Sequence, residues 1–215
     1  MNTKFFTKLN SKEFNEALSI VFIAIAVMVL VKIVPNEISS GTLPVIQNIF
    51  IFVFYSSLAV VYWRRKLSEE DVDLKRVVAC FISYCIPLFI KYFAMVENSL
   101  FSQFEVGSIL VIVGNTIAVL SIVSLGKSMG FLPARRATVI RGMYKIVRHP
   151  MYAGEIVMCV GLVIQRINVT SIVLFFAGII SLLFRIRWEE KVLSVLPSYQ
   201  EYKAKVRYRL FPGLF

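Results

Sequence analysis

The stretch YAGEIVMCVGLVIQRINVTSIVLFFAGIISLLF, residues 152–184, decides how this chain is read. Its 33 residues are too many for one ordinary membrane span, and they hold one polar interruption, Gln165-Arg166-Ile167-Asn168. We read it as two helices joined by a tight polar turn. Each arm has about 16 residues, or about 24 Å at 1.5 Å per residue. That is short of the roughly 30 Å hydrocarbon core of a bilayer. The expected hairpin crosses thinly or stops short of the far face.

Ahead of the hairpin lie four long apolar blocks, Phe14–Val34, Leu43–Trp63, Val77–Val96 and Val106–Leu125. Each has the length and hydropathy of a transmembrane helix. The composition agrees: the 215 residues are 58% hydrophobic and 17% charged, with mean hydropathy +0.74. Soluble domains sit near 45–50% apolar and about 25% charged. The expected fold is all-α: a polytopic membrane helical bundle, four transmembrane helices plus a C-terminal helical hairpin, five to six membrane helices in all. It forms one domain over residues 1–215, with a four-span scaffold at 14–125 and a cytoplasm-facing region at 126–215 that holds the hairpin and the tail. The N-terminus does not read as a cleavable signal. Lys4, Lys8, Lys12, Glu13 and Glu16 surround the start of an overlong apolar block that ends at Lys32 with no small-residue cleavage pattern.

The net charge of +11 would suggest nucleic acid in a soluble chain. Sorted by span, it reads as topology. Three lysines precede span 1, five basic residues follow span 2, six follow span 4 and seven follow the hairpin, together 21 of the 24 Lys and Arg. All four segments share one face if the hairpin returns to its starting side. The other face holds Glu37, Glu97, Glu105 and Arg166, with Lys32 and Lys91 near its boundary and able to snorkel. The positive-inside rule then gives cytoplasmic N- and C-termini, and the basic excess suits anionic lipid, not nucleic acid.

Other classes are excluded by what is missing. There is one histidine, His149, so multi-histidine metal sites are out. Cys80, Cys85 and Cys159 lie in apolar blocks without a CxxC, so neither a disulfide framework nor a zinc site is indicated. GxGxxG, GxxxxGK[ST], HExxH and GxSxG are absent, so a nucleotide-like cofactor needs a non-Rossmann pocket. Span cores almost free of ionisable groups speak against a channel or proton-coupled transporter. Pro87 should kink span 3, and Gly114 and Ala118 permit close helix packing in span 4.

The reactive-looking residues follow Leu125. Gly126–Met151 is basic, turn-rich and too polar to span, and reads as an interfacial segment. His149 precedes Pro150, which keeps it out of helical geometry, while Pro150 suits the first turn of the next helix. Arg148 and His149 are thus held at the hairpin mouth, with Glu155 about one turn inside. The second arm ends in Arg185-Ile186-Arg187-Trp188-Glu189-Glu190, so the hairpin brings Arg148, His149 and Tyr152 near Arg187, Glu189 and Glu190. Such a cluster reads as a binding site for a polar or zwitterionic molecule, or as an interfacial salt-bridge belt. The Tyr/Lys/Arg tail, Leu196–Pro212, either anchors at the lipid surface or folds back over the hairpin.

The residues Gly142-x-Tyr144-x3-Arg148-His149-Pro150-x-Tyr152-x-Gly154, then Glu189-Glu190-x2-Leu193, then Tyr199-x2-Tyr202-x4-Arg207, resemble the isoprenylcysteine carboxyl methyltransferase superfamily, which includes the phospholipid N-methyltransferases. The resemblance covers about Leu125–Pro212. It implies an integral membrane enzyme that uses S-adenosylmethionine on a lipophilic or prenylated acceptor drawn from the bilayer, with 126–215 as the catalytic region. It implies a cofactor site of Arg148, His149, Pro150, Tyr152, Gly154, Glu189 and Glu190. The catalytic residues it implies are Arg148, Glu189 and the tail arginine Arg207, with Lys205 and Arg209 as rivals for the last role. Membrane lipids are the expected partners, and no metal is expected.

Methyl transfer is an in-line displacement at carbon, and it needs alignment and a free nucleophile lone pair more than acid–base machinery. A carboxylate acceptor arrives ionised and needs only orientation by a cation. An amine acceptor must lose a proton, so Glu155, Glu189 or His149 is then a candidate base. The Arg-His-Pro-x-Tyr piece also resembles membrane sterol reductases, which implies an NADPH-dependent alternative. A non-enzymatic membrane or transport protein is the third reading.

Overall fold

The computed structural model describes residues 12–33, 41–64, 74–96, 98, 100, 102–128 and 138–214. Lys4, Lys8, Arg65, Lys66, Arg135, Arg136, Glu37 and Glu97, on which part of the orientation reading rests, lie outside the described residues. So do the side chains of Glu13, Lys32, Lys75, Arg76 and Lys127 and most of the expected interfacial segment, 129–137.

Among the described residues there are seven α-helices and no strand. They are α1 (Lys12–Met28, continued by a π-turn at Val29–Ile33), α2 (Thr42–Arg64), α3 (Leu74–Val96), α4 (Phe104–Leu125), α5 (Pro150–Gln165), α6 (Val169–Leu193) and α7 (Pro197–Lys205). Three of them, α2, α4 and α6, are long and apolar enough to cross a membrane; α1, α3 and α5 carry shorter apolar stretches. α3 runs through Pro87 as one helix.

The polar turn falls where its residues demand it. Asn168 caps α6 by accepting from the Ser171 amide at 2.7 Å, which satisfies one of the helix's orphan donors. The turn is tied to the segment before α4, because Leu100 N donates to Ile167 O at 2.7 Å and Ser102 Oγ to Gln165 O at 2.7 Å. One expectation needs correction. The second arm does not stop at Phe184 but continues helically to Leu193, 25 residues in all, about 38 Å at 1.5 Å per residue. Its last turns are polar and leave the apolar block while keeping helical geometry. The first arm keeps its expected 16 residues.

α4 and α5 pack backbone to backbone. A Cβ on Gly114 or Gly154 would stand 2.6 Å from the other's carbonyl oxygen, and the same holds for Gly107 and Gly161. Two glycines seven residues apart on each antiparallel helix thus form two reciprocal contacts. Elsewhere α1 packs on α2, α2 on α4, and α3 on both α5 and α6. The hairpin arms therefore share α3 as their neighbour and touch each other little.

Polar groups inside the bundle pair with one another. Gln165 Nε2 donates to Gln47 Oε1 and, at 2.9 Å, to Ser108 Oγ. Lys91 departs from the expected snorkelling: it is buried, and its Nζ donates to Asn48 Oδ1 at 2.8 Å. Hydropathy does not carry the side of the helix on which a residue projects.

Candidate functional site

At the hairpin mouth the chain leaves α4 at Gly126, whose φ of +53° ends the helix. It re-enters helix at Pro150, the first residue of α5, preceded by a non-helical His149 with φ −128° and ψ 58°. The tail then settles the choice between lipid anchor and closure: it folds back. After α7, Arg148 N donates to Tyr208 O at 2.9 Å and His149 N to Arg209 O at 2.8 Å. Tyr202 Oη fastens the same layer by donating to Tyr144 O at 2.7 Å.

Glu190 sits at the centre of the charged cluster. Its Oε1 accepts from Arg148 Nε at 2.9 Å and lies 3.4 Å from His149 Nε2, and its Oε2 accepts from Arg209 Nε at 3.0 Å. Arg148 Nη1 also donates to the carbonyls of Val206 (2.8 Å) and Arg207 (2.6 Å). Arg148 is thus a buried strut joining α6 to the tail. Of the three tail cations, Arg209 reaches the cluster through its guanidinium. Arg207 contributes its carbonyl while its side chain is exposed, and the Lys205 side chain is exposed as well.

Glu189 is the half-buried member of the acidic pair. It accepts from Tyr152 Oη at 2.8 Å and stands 3.8 Å from His149 Nδ1. The His149 and Tyr152 rings stack at 5.6 Å. Glu189 also lines a cleft together with Arg148 and His149, the phenols Tyr144, Tyr199 and Tyr202, and Leu125, Ser128, Thr138, Val139 and Leu193. Burial pushes the three phenols above the usual tyrosine range, which favours their neutral form.

The sequence-derived residues therefore divide. Arg148, His149 and Glu189 reach the cleft, and Tyr152 holds Glu189 from behind. Glu190 is taken up by Arg148, His149 and Arg209. Pro150 starts α5, and Gly154 faces α4 instead of the cleft. Ser128, Thr138 and Val139 carry no chemical signature in the sequence, and only their position on the rim brings them in.

Long apolar helices, three of them long enough to cross a membrane, and a polar cleft lined by Arg148, His149 and Glu189 are the features of an integral membrane protein. Residues 102–197 match the model of the phospholipid methyltransferase family. The match bears out the resemblance to the superfamily of isoprenylcysteine carboxyl and phospholipid membrane methyltransferases, and it runs from just before α4 to the first residue of α7. No curated protein matches the chain.

Proposed function

We propose that the protein is an S-adenosylmethionine-dependent membrane methyltransferase acting on a lipophilic acceptor. The observation that carries this reading is the convergence of Arg148, His149 and Glu189 on one aromatic-walled cleft beneath a folded-back tail. The residues suit the cofactor. The half-buried Glu189 carboxylate matches an ammonium or ribose hydroxyls, and the phenol rings of Tyr144, Tyr199 and Tyr202 match a flat purine. When bound, S-adenosylmethionine supplies an electrophilic methyl group on a sulfonium. The chain's own part is to hold Glu189 through Tyr152, to exclude water with the tail, and to keep the acceptor's approach aligned.

In this reading the chain is one domain of five to six membrane helices, both termini are cytoplasmic, and the acceptor arrives laterally from the bilayer. Arg209 is a better placed tail cation than Arg207, because its guanidinium is the one turned into the cluster. A carboxylate acceptor of the isoprenylcysteine kind fits a site rich in arginine. An amine acceptor on a phospholipid is favoured by Glu155, a buried carboxylate on α5 with one oxygen lacking a hydrogen-bond partner.

Calorimetric titration of the purified protein with S-adenosylhomocysteine tests the cofactor, and transfer of labelled methyl to a membrane lipid extract, read by mass spectrometry, identifies the acceptor. Saturable binding that Glu189→Ala weakens is expected. Stabilisation by NADPH in its place would move the protein to the reductase class.

A further inference from the structure

A furrow of about 460 Å³ lies between α1 and α2. The period of its lining shows how it arises. Ser19, Ile23 and Ala26 follow one face of α1, and Phe52, Ser56, Ala59 and Trp63 follow one face of α2, at spacings of three and four residues. Ser19, Ala26 and Ala59 are small and buried, and they form the floor. There Ser19 Oγ donates to the Ala59 carbonyl at 2.9 Å, which ties the two helices together. Ile23, Val60 and Trp63 are large and exposed, and they stand as walls. Small residues below and large ones above leave a channel open toward the lipid.

The volume lies within the roughly 300–1,000 Å³ of small-molecule sites, but the shape is long. From Phe52 to Arg64, α2 rises about 18 Å at 1.5 Å per residue. One leaflet of a roughly 30 Å hydrocarbon core is about 15 Å deep. The furrow is therefore as long as one leaflet, the reach of a single acyl chain. One end has the residues of a membrane boundary. Trp63 is an exposed interfacial aromatic. Arg64, in the last turn of α2, is the one charged residue lining the furrow. It has no ion-pair partner among the described residues, and the sequence continues with Arg65-Lys66. An apolar channel of leaflet length that ends in a cation complements an apolar chain that ends in an anion.

We propose that this furrow is a site for one anionic phospholipid, with an acyl chain lying along α1 and α2 and its phosphate on Arg64. A guanidinium takes a phosphate through two parallel hydrogen bonds. The lipid is a structural ligand and not a methyl acceptor, because no residue of α1 or α2 lines the cleft that holds Arg148, His149 and Glu189. α1 packs chiefly on α2, so a lipid seated between them strengthens the attachment of α1 to the bundle. The inference stands apart from the methyltransferase reading.

The test offers phosphatidylglycerol or phosphatidylcholine with matched chains to the detergent-purified full chain, washed free of lipid. Native mass spectrometry reads the bound lipid and thermal melting reads its effect. Phosphatidylglycerol, which has neither amine nor carboxylate to methylate, should be held one to one and raise the melting temperature. Phosphatidylcholine should be held about fivefold less well, the scale of one arginine at an anionic surface. Arg64→Gln should abolish that preference, and because Arg64 is exposed the variant does not put folding at stake. Lys203→Gln, the same loss of charge on α7, should keep the preference. Ser56→Phe, which fills the furrow from a half-buried position, should lose both lipids. Equal retention of the two lipids by the unaltered protein, a preference lost equally in Lys203→Gln, or undiminished retention in Ser56→Phe overturns the proposal. So does a dimer that Ser56→Phe separates, which would put a second copy of the chain in the furrow.

Discussion

Arg148 and Glu190 meet at 2.9 Å, both buried, across the join between the hairpin mouth and the end of α6. The same guanidinium holds the carbonyls of Val206 and Arg207, so one side chain fastens three segments. Removing one partner of a buried pair strands the other and costs about 3–5 kcal/mol. Arg148→Ala should therefore release the tail before it unfolds the bundle. Trypsin cleavage near Lys203 and Lys205 should accelerate while the helical circular dichroism persists. A tail equally resistant in variant and parent would show that the α7 contacts alone retain it.

Glu189 differs from its neighbour because its ties are few: Tyr152 Oη and a distant His149. Glu189→Gln keeps the shape and most of the hydrogen bonding, so the melting temperature should hardly move. Loss of the charge should weaken S-adenosylhomocysteine binding about tenfold, the scale of one hydrogen bond to a charged group. Tyr152→Phe frees Glu189 without neutralising it and should give a smaller loss in the same titration. A Glu190→Gln variant that binds like the parent while Glu189→Gln fails would separate the two roles in one experiment.

The hairpin could be read from the sequence because its break is written in residues that a continuous span would not tolerate. Arg166 is exposed at the turn and Asn168 does the capping. The mouth was legible for a similar reason, since His149-Pro150 forces a non-helical residue just before a helix. Other features turn on direction, which one-dimensional hydropathy does not carry. Lys91 and Glu155 are both buried within the bundle. The insertion of α3 beside both arms runs against the presumption that sequence neighbours pair. The length of α6 is not legible in hydropathy, because Arg185–Leu193 is largely polar and apolar counting ends where helical geometry does not.

The reciprocal glycines give a sharper test of packing. A side chain at Gly114 or Gly154 meets backbone, which cannot rotate away, at 2.6 Å. Gly114→Leu should destabilise by more than the about 1–3 kcal/mol of ordinary core overpacking. It should lower the melting temperature and the yield of folded protein in detergent. Gly41→Leu makes no such contact, since a Cβ there meets nothing within 4 Å, although its φ of +114° carries a backbone cost. The expected order of damage is Gly114 well above Gly41. An equal effect would mean that α4 and α5 separate readily to admit the new side chain.

The tail layer also predicts an alkaline limit. Burial raises the phenols of Tyr144, Tyr199 and Tyr202 above the ordinary tyrosine pKa, which is about 10. The neutral form is thus favoured in the folded state. Their contribution is complete below pH of about 10 and is lost as pH climbs toward the raised folded values, because the unfolded chain then ionises first. Tyr202 matters most, since as phenolate it cannot donate to the Tyr144 carbonyl. Phenolate absorbance near 295 nm, followed against tail proteolysis, should show these phenols ionising together with release of the tail. Tyr202→Phe removes the donor at every pH, so its tail should already be labile near neutrality and show a weaker alkaline step. If the tail of the unaltered protein came free well below pH 10, other groups would have to hold it.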